Sequence, residues 1–173
     1  MRQGSSGKAQ TLELSAPEKL MPDHDVSLFD CANQSINDYL QKRAMEAQRS
    51  KHAVVYVACV KGTRRVAAYY TLSNASVSRR YAASARLRRN APDDLPVTVL
   101  GRMGVALEAQ GRGFAVALLA DAVERALGAA EVVGSTAMIV PPLDESLASF
   151  YARFGNFKTC PDLTPLTMML SLR

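Results

Sequence analysis

Apolar and polar positions change period several times along this chain, and each change marks an element. Over residues 33–50 (NQSINDYLQKRAMEAQRS), Ile36, Tyr39, Leu40 and Ala44 fall on one helical face, with the basic residues largely off it. Ser35 is placed to cap this helix, with Asp38 three residues on as the second half of a capping box. HAVVYVACV (52–60) is an unbroken apolar run of strand length. KGTRR (61–65) turns the chain, and RVAAYYTLSNASVS (65–78) reads as the hairpin partner.

A basic stretch, RRYAASARLRRN, then closes in APDDLP, where two prolines and two aspartates mark a loop. PVTVLGRMGV (96–105) is the next strand, and Gly101 and Gly104 inside it predict a bulge or a close backbone approach. The strongest helical period follows at 114–130. Its stripe is Leu119, Val123, Ala126 and Ala130, flanked by Leu118, Ala122 and Leu127, with Asp121, Glu124 and Arg125 mostly off it. STAMIVPPL is a short strand stopped by Pro141 and Pro142. DESLASFYARFGN is a short helix from an acidic cap near Asp144 to Gly155, and LTMMLSLR is a last strand. This order predicts an α/β domain, a mixed sheet with helices on its faces.

The 173 residues fit one domain with a core of its own. Residues 1–13 read as a flexible arm or an expression remnant, and 14–173 as the domain. No apolar run reaches the roughly 18 residues of a membrane helix, and MRQGSSGKAQ lacks the apolar centre of a secretion signal. Cys31, Cys59 and Cys160 are widely spaced and odd in number, which argues against a disulfide framework and for a reducing cytoplasm. His24 and His52 have no metal-ligand spacing, so no metal is expected. The net charge of +5 is unevenly spread. Arg79, Arg80, Arg86, Arg88 and Arg89 occupy an acid-free segment, and Lys42, Arg43, Arg49 and Lys51 form a second group relieved by Glu46. Either two solvated faces or a polyanionic partner accounts for this.

Strand, glycine turn, helix is an arrangement suited to anions, because the first turn of a helix carries unpaired N–H groups and the positive end of the dipole. In QGRGFAVALL (110–119), Gly111 and Gly113 keep Cβ atoms out of that approach. The phosphate-loop signature with its Lys-Ser/Thr is absent, and Val116 occupies the third glycine place of a dinucleotide fingerprint. A capped helix without a ligand remains as the plain alternative. QGRGFA matches the Q/R-x-x-G-x-G/A signature of the GNAT acetyltransferases at Gln110, Gly113 and Ala115, and FYARFG resembles the late F-Y-x-x-x-G-F segment of that family.

Together with SLFDCANQSINDYLQKRAMEAQRS, RVAAYYTLSNASV and ARLRRNAPDDLPVTVLGRMGV, these stretches resemble the GNAT toxins of bacterial toxin–antitoxin pairs from about Leu14 to the C-terminus. The resemblance implies transfer of acetyl from acetyl-CoA to the amino group of the amino acid on charged tRNA, which blocks translation. It also implies neutralisation by a ribbon-helix-helix antitoxin, and relatives are often homodimers. Carried onto this sequence, Met103, Gly104 and Val105 would pair with the pantetheine arm. The backbone of Gly111, Arg112, Gly113, Phe114 and Ala115, beside Gln110, would take the pyrophosphate. Tyr151 would protonate the leaving thiolate, its alternative being a packing tyrosine beside Phe150 and Phe154. Arg79, Arg80, Arg86, Arg88 and Arg89, with Lys42 and Arg43, would meet tRNA phosphates, and Ser73 would line the acceptor pocket. Several positions depart from the pattern: Val116 and Ala120 where arginines are frequent, Pro141-Pro142 for His-Ala, Asn156 before Phe157, and Ala106 for aspartate. These departures leave two alternatives: a degenerate domain that binds RNA or a protein without catalysis, and an acetyltransferase for a protein N-terminus or a small amine.

Overall fold

The computed structural model describes residues 11–173; the first ten residues of the expected arm lie outside them. Seven strands form one sheet in the order β1-β2-β3-β4-β5-β7-β6. They are β1 (Glu18–Lys19), β2 (Val54–Cys59), β3 (Val66–Ser78), β4 (Asp94–Val105), β5 (Ala137–Val140), β6 (Lys158–Thr159) and β7 (Met168–Ser171). All neighbours are antiparallel except β4 and β5, which run parallel. The mixed sheet is therefore as expected, although the two-residue strands β1 and β6 carry no periodicity a sequence could show.

Helices cover both faces. On one face α1 (Gln34–Asp38) runs through a π-helical turn (Tyr39–Arg43) into α2 (Ala44–Arg49). Asn33 caps α1, its side-chain oxygen accepting the Ile36 N–H at 3.1 Å, which corrects the expected Ser35 cap. Asp38 closes no capping box; it accepts from Gln34 and pairs with Lys42. Ile36, Leu40 and Ala44 pack on Val55, Val57, Val66 and Tyr69 of the sheet. On the other face α4 (Phe114–Val133) and α5 (Glu145–Gly155) bury Leu118, Leu119, Ala122, Ala126 and Tyr151 against Tyr70, Leu100, Met138 and Val140. The buried stripe of α4 is thus turned from the expected one. Leu127 is exposed, while Asp121 is drawn in to accept a hydrogen bond from the Tyr70 hydroxyl.

The basic stretch between β3 and β4, to which the sequence assigned no element, is partly ordered into a 3-10 turn (Arg79–Tyr81) and a short helix α3 (Ala85–Arg88), and the expected APDDLP loop is shortened because β4 already begins at Asp94. Ala82 and Leu87 anchor it over Leu95, Val97 and Cys160. No helix among the described residues is long and apolar enough to cross a membrane.

Candidate active site

The site lies where β4 and β5 part. They pair only over Val97–Val99 and Ala137–Ile139, after which Pro141 and Pro142 end β5 while β4 runs on to Val105. Residues 101–105 therefore have β3 on one side and no strand on the other. A cavity of about 810 Å³ fills that gap, lined among others by Met103, Gly104, Val105, Pro141 and Tyr151. Its size suits a small organic ligand.

Within this stretch β4 carries a bulge. Tyr70 pairs with Met103 and Leu72 with Leu100, so Gly101 and Arg102 together oppose Thr71. The Thr71 hydroxyl accepts the Arg102 N–H at 3.1 Å, and a Cβ on Gly101 would stand 2.9 Å from that oxygen. At Gly104 a Cβ would stand 2.7 Å from Ile36 Cγ2, so α1 lies against the backbone there. Bulge and close approach, alternatives in the sequence, both occur.

Beyond β4 the chain makes a 3-10 turn (Leu107–Ala109) and the glycine turn. Gly111 and Gly113 have φ of +72° and +85°, in the region that favours glycine. Gly113 is the N-cap of α4 without a side-chain cap bond, and no acid stands in the first turn. The opening N–H groups of this 20-residue helix are thus unclaimed by capping side chains. The Gln110 amide donates to Cys31 O at 3.2 Å and Val105 O at 2.9 Å, tying the turn to the end of β4. Arg112 donates to Glu108 O. An uncapped helix start, positive-φ glycines and an open strand edge fit a ligand that is phosphorylated at one end and carries an amide-bearing arm.

Of the residues singled out in the sequence, Met103, Gly104, Val105, Gln110, Ala115 and Tyr151 line this cavity. Gly111, Arg112, Gly113 and Phe114 form the adjoining turn, outside the lining. Tyr151 stands edge-on to Phe150 and Phe157, so it packs and lines the cavity at once. Its hydroxyl has no hydrogen-bond partner among the described residues, yet no buried oxygen is left unpaired, so that oxygen reaches the cavity. Burial pushes its pKa up to about 12. Asn156, a departure in the sequence, caps α5 in the left-handed region at φ +58°, which asparagine tolerates.

The basic residues separate. Lys42, Arg43 and Ser73 line a second cavity of about 490 Å³, which shares Gly101 and Arg102 with the first. The arginines 79–89 line neither. Arg79 is held by Asp93 and by Ala91 O, and Arg88 by Ala82 O. Sequence reasoning missed Arg102 and Tyr39, whose guanidinium and ring meet at 4.0 Å. The only signal was Gly101, since a bulge re-aims its neighbour. Glu18, His24 and Cys59 come within 4.8 Å of one another, which spacing along the chain concealed. His24 Nδ1 accepts the Met21 N–H and Nε2 faces Glu18, both at 2.8 Å. The ring proton therefore sits on Nε2, and neither nitrogen has a lone pair free for a metal ion.

No protein-family model matches the chain. A tRNA-acetylating toxin of Mycobacterium tuberculosis is 36% identical over 159 residues, covering 92% of this chain and 93% of the relative. The chain belongs to the tRNA-acetylating toxin family. The GNAT fold of this toxin family is seen in AtaT complexed with acetyl-methionyl-tRNAfMet, with a TM-score of 0.80 and 27% identity over 92% of this chain and 95% of AtaT. AtaTR bound with acetyl-CoA gives 0.79 at 26% identity, covering 92% of this chain and 94% of that one. The toxin fold is also that of KacT, with a TM-score of 0.84 at 24% identity over 94% of this chain and 96% of KacT.

Proposed function

We propose that this chain transfers an acetyl group from acetyl-CoA to the amino group of the amino acid on charged tRNA, so blocking translation in the cytoplasm. The observation that carries the reading is one cavity bringing together the open edge of β4, the start of α4 and the Tyr151 hydroxyl. The kinship to a tRNA-acetylating toxin over nine-tenths of the chain supports the substrate class.

Acetyl-CoA, when bound, supplies an acyl group activated as a thioester. The N–H groups of Gly111, Arg112, Gly113, Phe114 and Ala115 take the pyrophosphate, with the α4 dipole behind them. Gln110 holds the turn in place through Cys31 O and Val105 O. The unpaired edge at Met103, Gly104 and Val105 aligns the pantetheine arm as an added strand would. Tyr151 keeps its proton on Oη until a thiolate develops beside it, then donates. Lys42, Arg43 and the free arginines of 79–89 meet the phosphates of tRNA. As a toxin of this kind, the chain is held inactive by an antitoxin of ribbon-helix-helix type and acts as a homodimer.

The test is incubation with labelled acetyl-CoA and a pool of charged tRNAs, counting label in precipitated RNA. Label should require charged tRNA. Tyr151→Phe should lower kcat by roughly 10²-fold or more and leave the KM for acetyl-CoA nearly unchanged. Intact acetyl-CoA binding with no label in RNA would move the acceptor elsewhere, and a full-rate Tyr151→Phe enzyme would remove the hydroxyl from the reaction.

A further inference from the structure

The second cavity is basic and abuts the first across the bulge. Lys42, Arg43 and Arg102 line it with a single acid, Glu46. That carboxylate accepts from Ser50 Oγ at 2.8 Å, and Lys42 is shared with Asp38 at 3.2 Å. The guanidinium groups of Arg43 and Arg102 make no ion pair or hydrogen bond among the described residues.

Arg102 is also held in place. Its guanidinium lies 4.0 Å over the Tyr39 ring, which is parallel to Tyr69 within 8° at 6.5 Å. Tyr69 is fully buried and its hydroxyl donates to Ile36 O at 2.6 Å. Tyr39 opens the π-helical turn, whose Ala44 N–H reaches back to Tyr39 O. A guanidinium held over a fixed ring and otherwise unpaired keeps its N–H groups free to meet a phosphate.

An amine delivered to the first cavity carries its nucleic acid with it, and the basic cavity that shares Gly101 and Arg102 with the first lies directly beside it. We infer that the cavity of Arg102, Tyr39, Lys42 and Arg43 seats a phosphodiester next to the aminoacylated 3′ end, and that Arg102 is a positioning residue setting the register between RNA and acetyl donor. This rests on the proposed reaction. The arginines of 79–89 are a different surface. They precede β4, whose first residue, Asp94, stands eight residues and so roughly 25 Å from Arg102 at ~3.3 Å per residue.

The decisive comparison is between charged tRNA and an aminoacyl-adenosine, which presents the same amine and ester without a phosphodiester. Arg102→Ala should lose roughly 10- to 100-fold in kcat/KM for charged tRNA relative to its own loss on aminoacyl-adenosine. Arg102→Lys should fall between. Equal losses on both substrates, or none on charged tRNA, overturn the inference. Binding of an uncharged RNA hairpin with a single-stranded 3′ end separates this from the reaction itself. Arg102→Ala should lower the slope of log affinity against log salt by about 0.7 to 0.9. If the wild type leaves either substrate unacetylated, this measurement decides alone. An unchanged slope and affinity overturn the phosphate seat, and a lowered slope upholds it even where the proposed acceptor fails.

Discussion

The Tyr151 hydroxyl is useful because burial holds its proton. Its pKa is pushed up to about 12 by desolvation, against about 10 for a free tyrosine. Difference spectra of the wild type against Tyr151→Phe should therefore show no tyrosinate until the pH is well above about 10. The folded-state value lies above the unfolded one, so the group's contribution to stability is constant below about pH 10 and declines as pH rises toward 12. Ionisation near neutrality would exclude a tyrosine kept as a donor. The glycine turn makes a second prediction at this scale. A Cβ at Gly111, Gly113 or Gly62 meets nothing within 4 Å, and all three have positive φ, so alanine strains each by conformation and not by collision. Each substitution should cost about 1 to 2 kcal/mol in denaturant unfolding. Only Gly111→Ala and Gly113→Ala should also raise the KM for acetyl-CoA, because Gly62 lies in the β2–β3 hairpin turn. An equal KM effect from Gly62→Ala would mean that the turn at 111–113 is ordinary scaffold.

At the scale of elements, the fold depends on a polar contact that periodicity placed outside. Asp121 of α4 accepts from the Tyr70 hydroxyl of β3 and from Arg125 Nε at 2.9 Å. Arg125 also donates to Pro17 O at 2.9 Å and lies 4.2 Å over Tyr56 of β2, which stacks on Tyr70. One carboxylate thus joins a helix, two strands and the chain leading into β1. Asp121→Ala leaves the fully buried Tyr70 without its acceptor and should cost about 1 to 3 kcal/mol in chemical denaturation. A loss under about 0.5 kcal/mol, the scale of a surface change, would show the network to be decorative. The sequence located α4 but misassigned its face for a physical reason. FAVALLADAVERALGAA is apolar nearly all round, so stripes through Leu118–Ala122 and through Leu119–Val123 fit equally, and only the sheet and α5 choose between them. The π-helical turn was illegible because YLQKR carries no glycine or proline to break the α-helical period; the structure shows its first residue, Tyr39, in contact with Tyr69 and Arg102. The glycines of β4 and of the turn were legible because glycine marks a backbone constraint directly.

Across the whole molecule, charge density and free charge are different quantities. The sequence showed five arginines in 79–89, and the structure shows that two of them hold the segment together. Arg79 spans Asp93 and Ala91 O, and Arg88 closes α3 onto Ala82 O at 2.9 Å. Arg80 lies over the Tyr81 ring and donates to its hydroxyl. Arg86 and Arg89 are exposed, and their side chains make no hydrogen bond or ion pair among the described residues. Reversing charge at Arg88 and Arg89 together would therefore mix a loss of RNA contact with a loss of local structure. Arg86→Glu with Arg89→Glu is the cleaner pair. It should weaken RNA binding and reduce its salt dependence while leaving the unfolding midpoint within about 0.5 kcal/mol of wild type. Arg88→Ala should instead lower stability by about 1 kcal/mol, the worth of one hydrogen bond. Acetylation of an aminoacyl-adenosine should survive the double reversal, because these arginines lie beyond the far end of β4 from the cavity. If the reversal leaves RNA affinity and its salt slope unchanged, the segment is a solvated face. The phosphate contacts would then have to come from the second cavity, where Lys42, Arg43 and Arg102 converge.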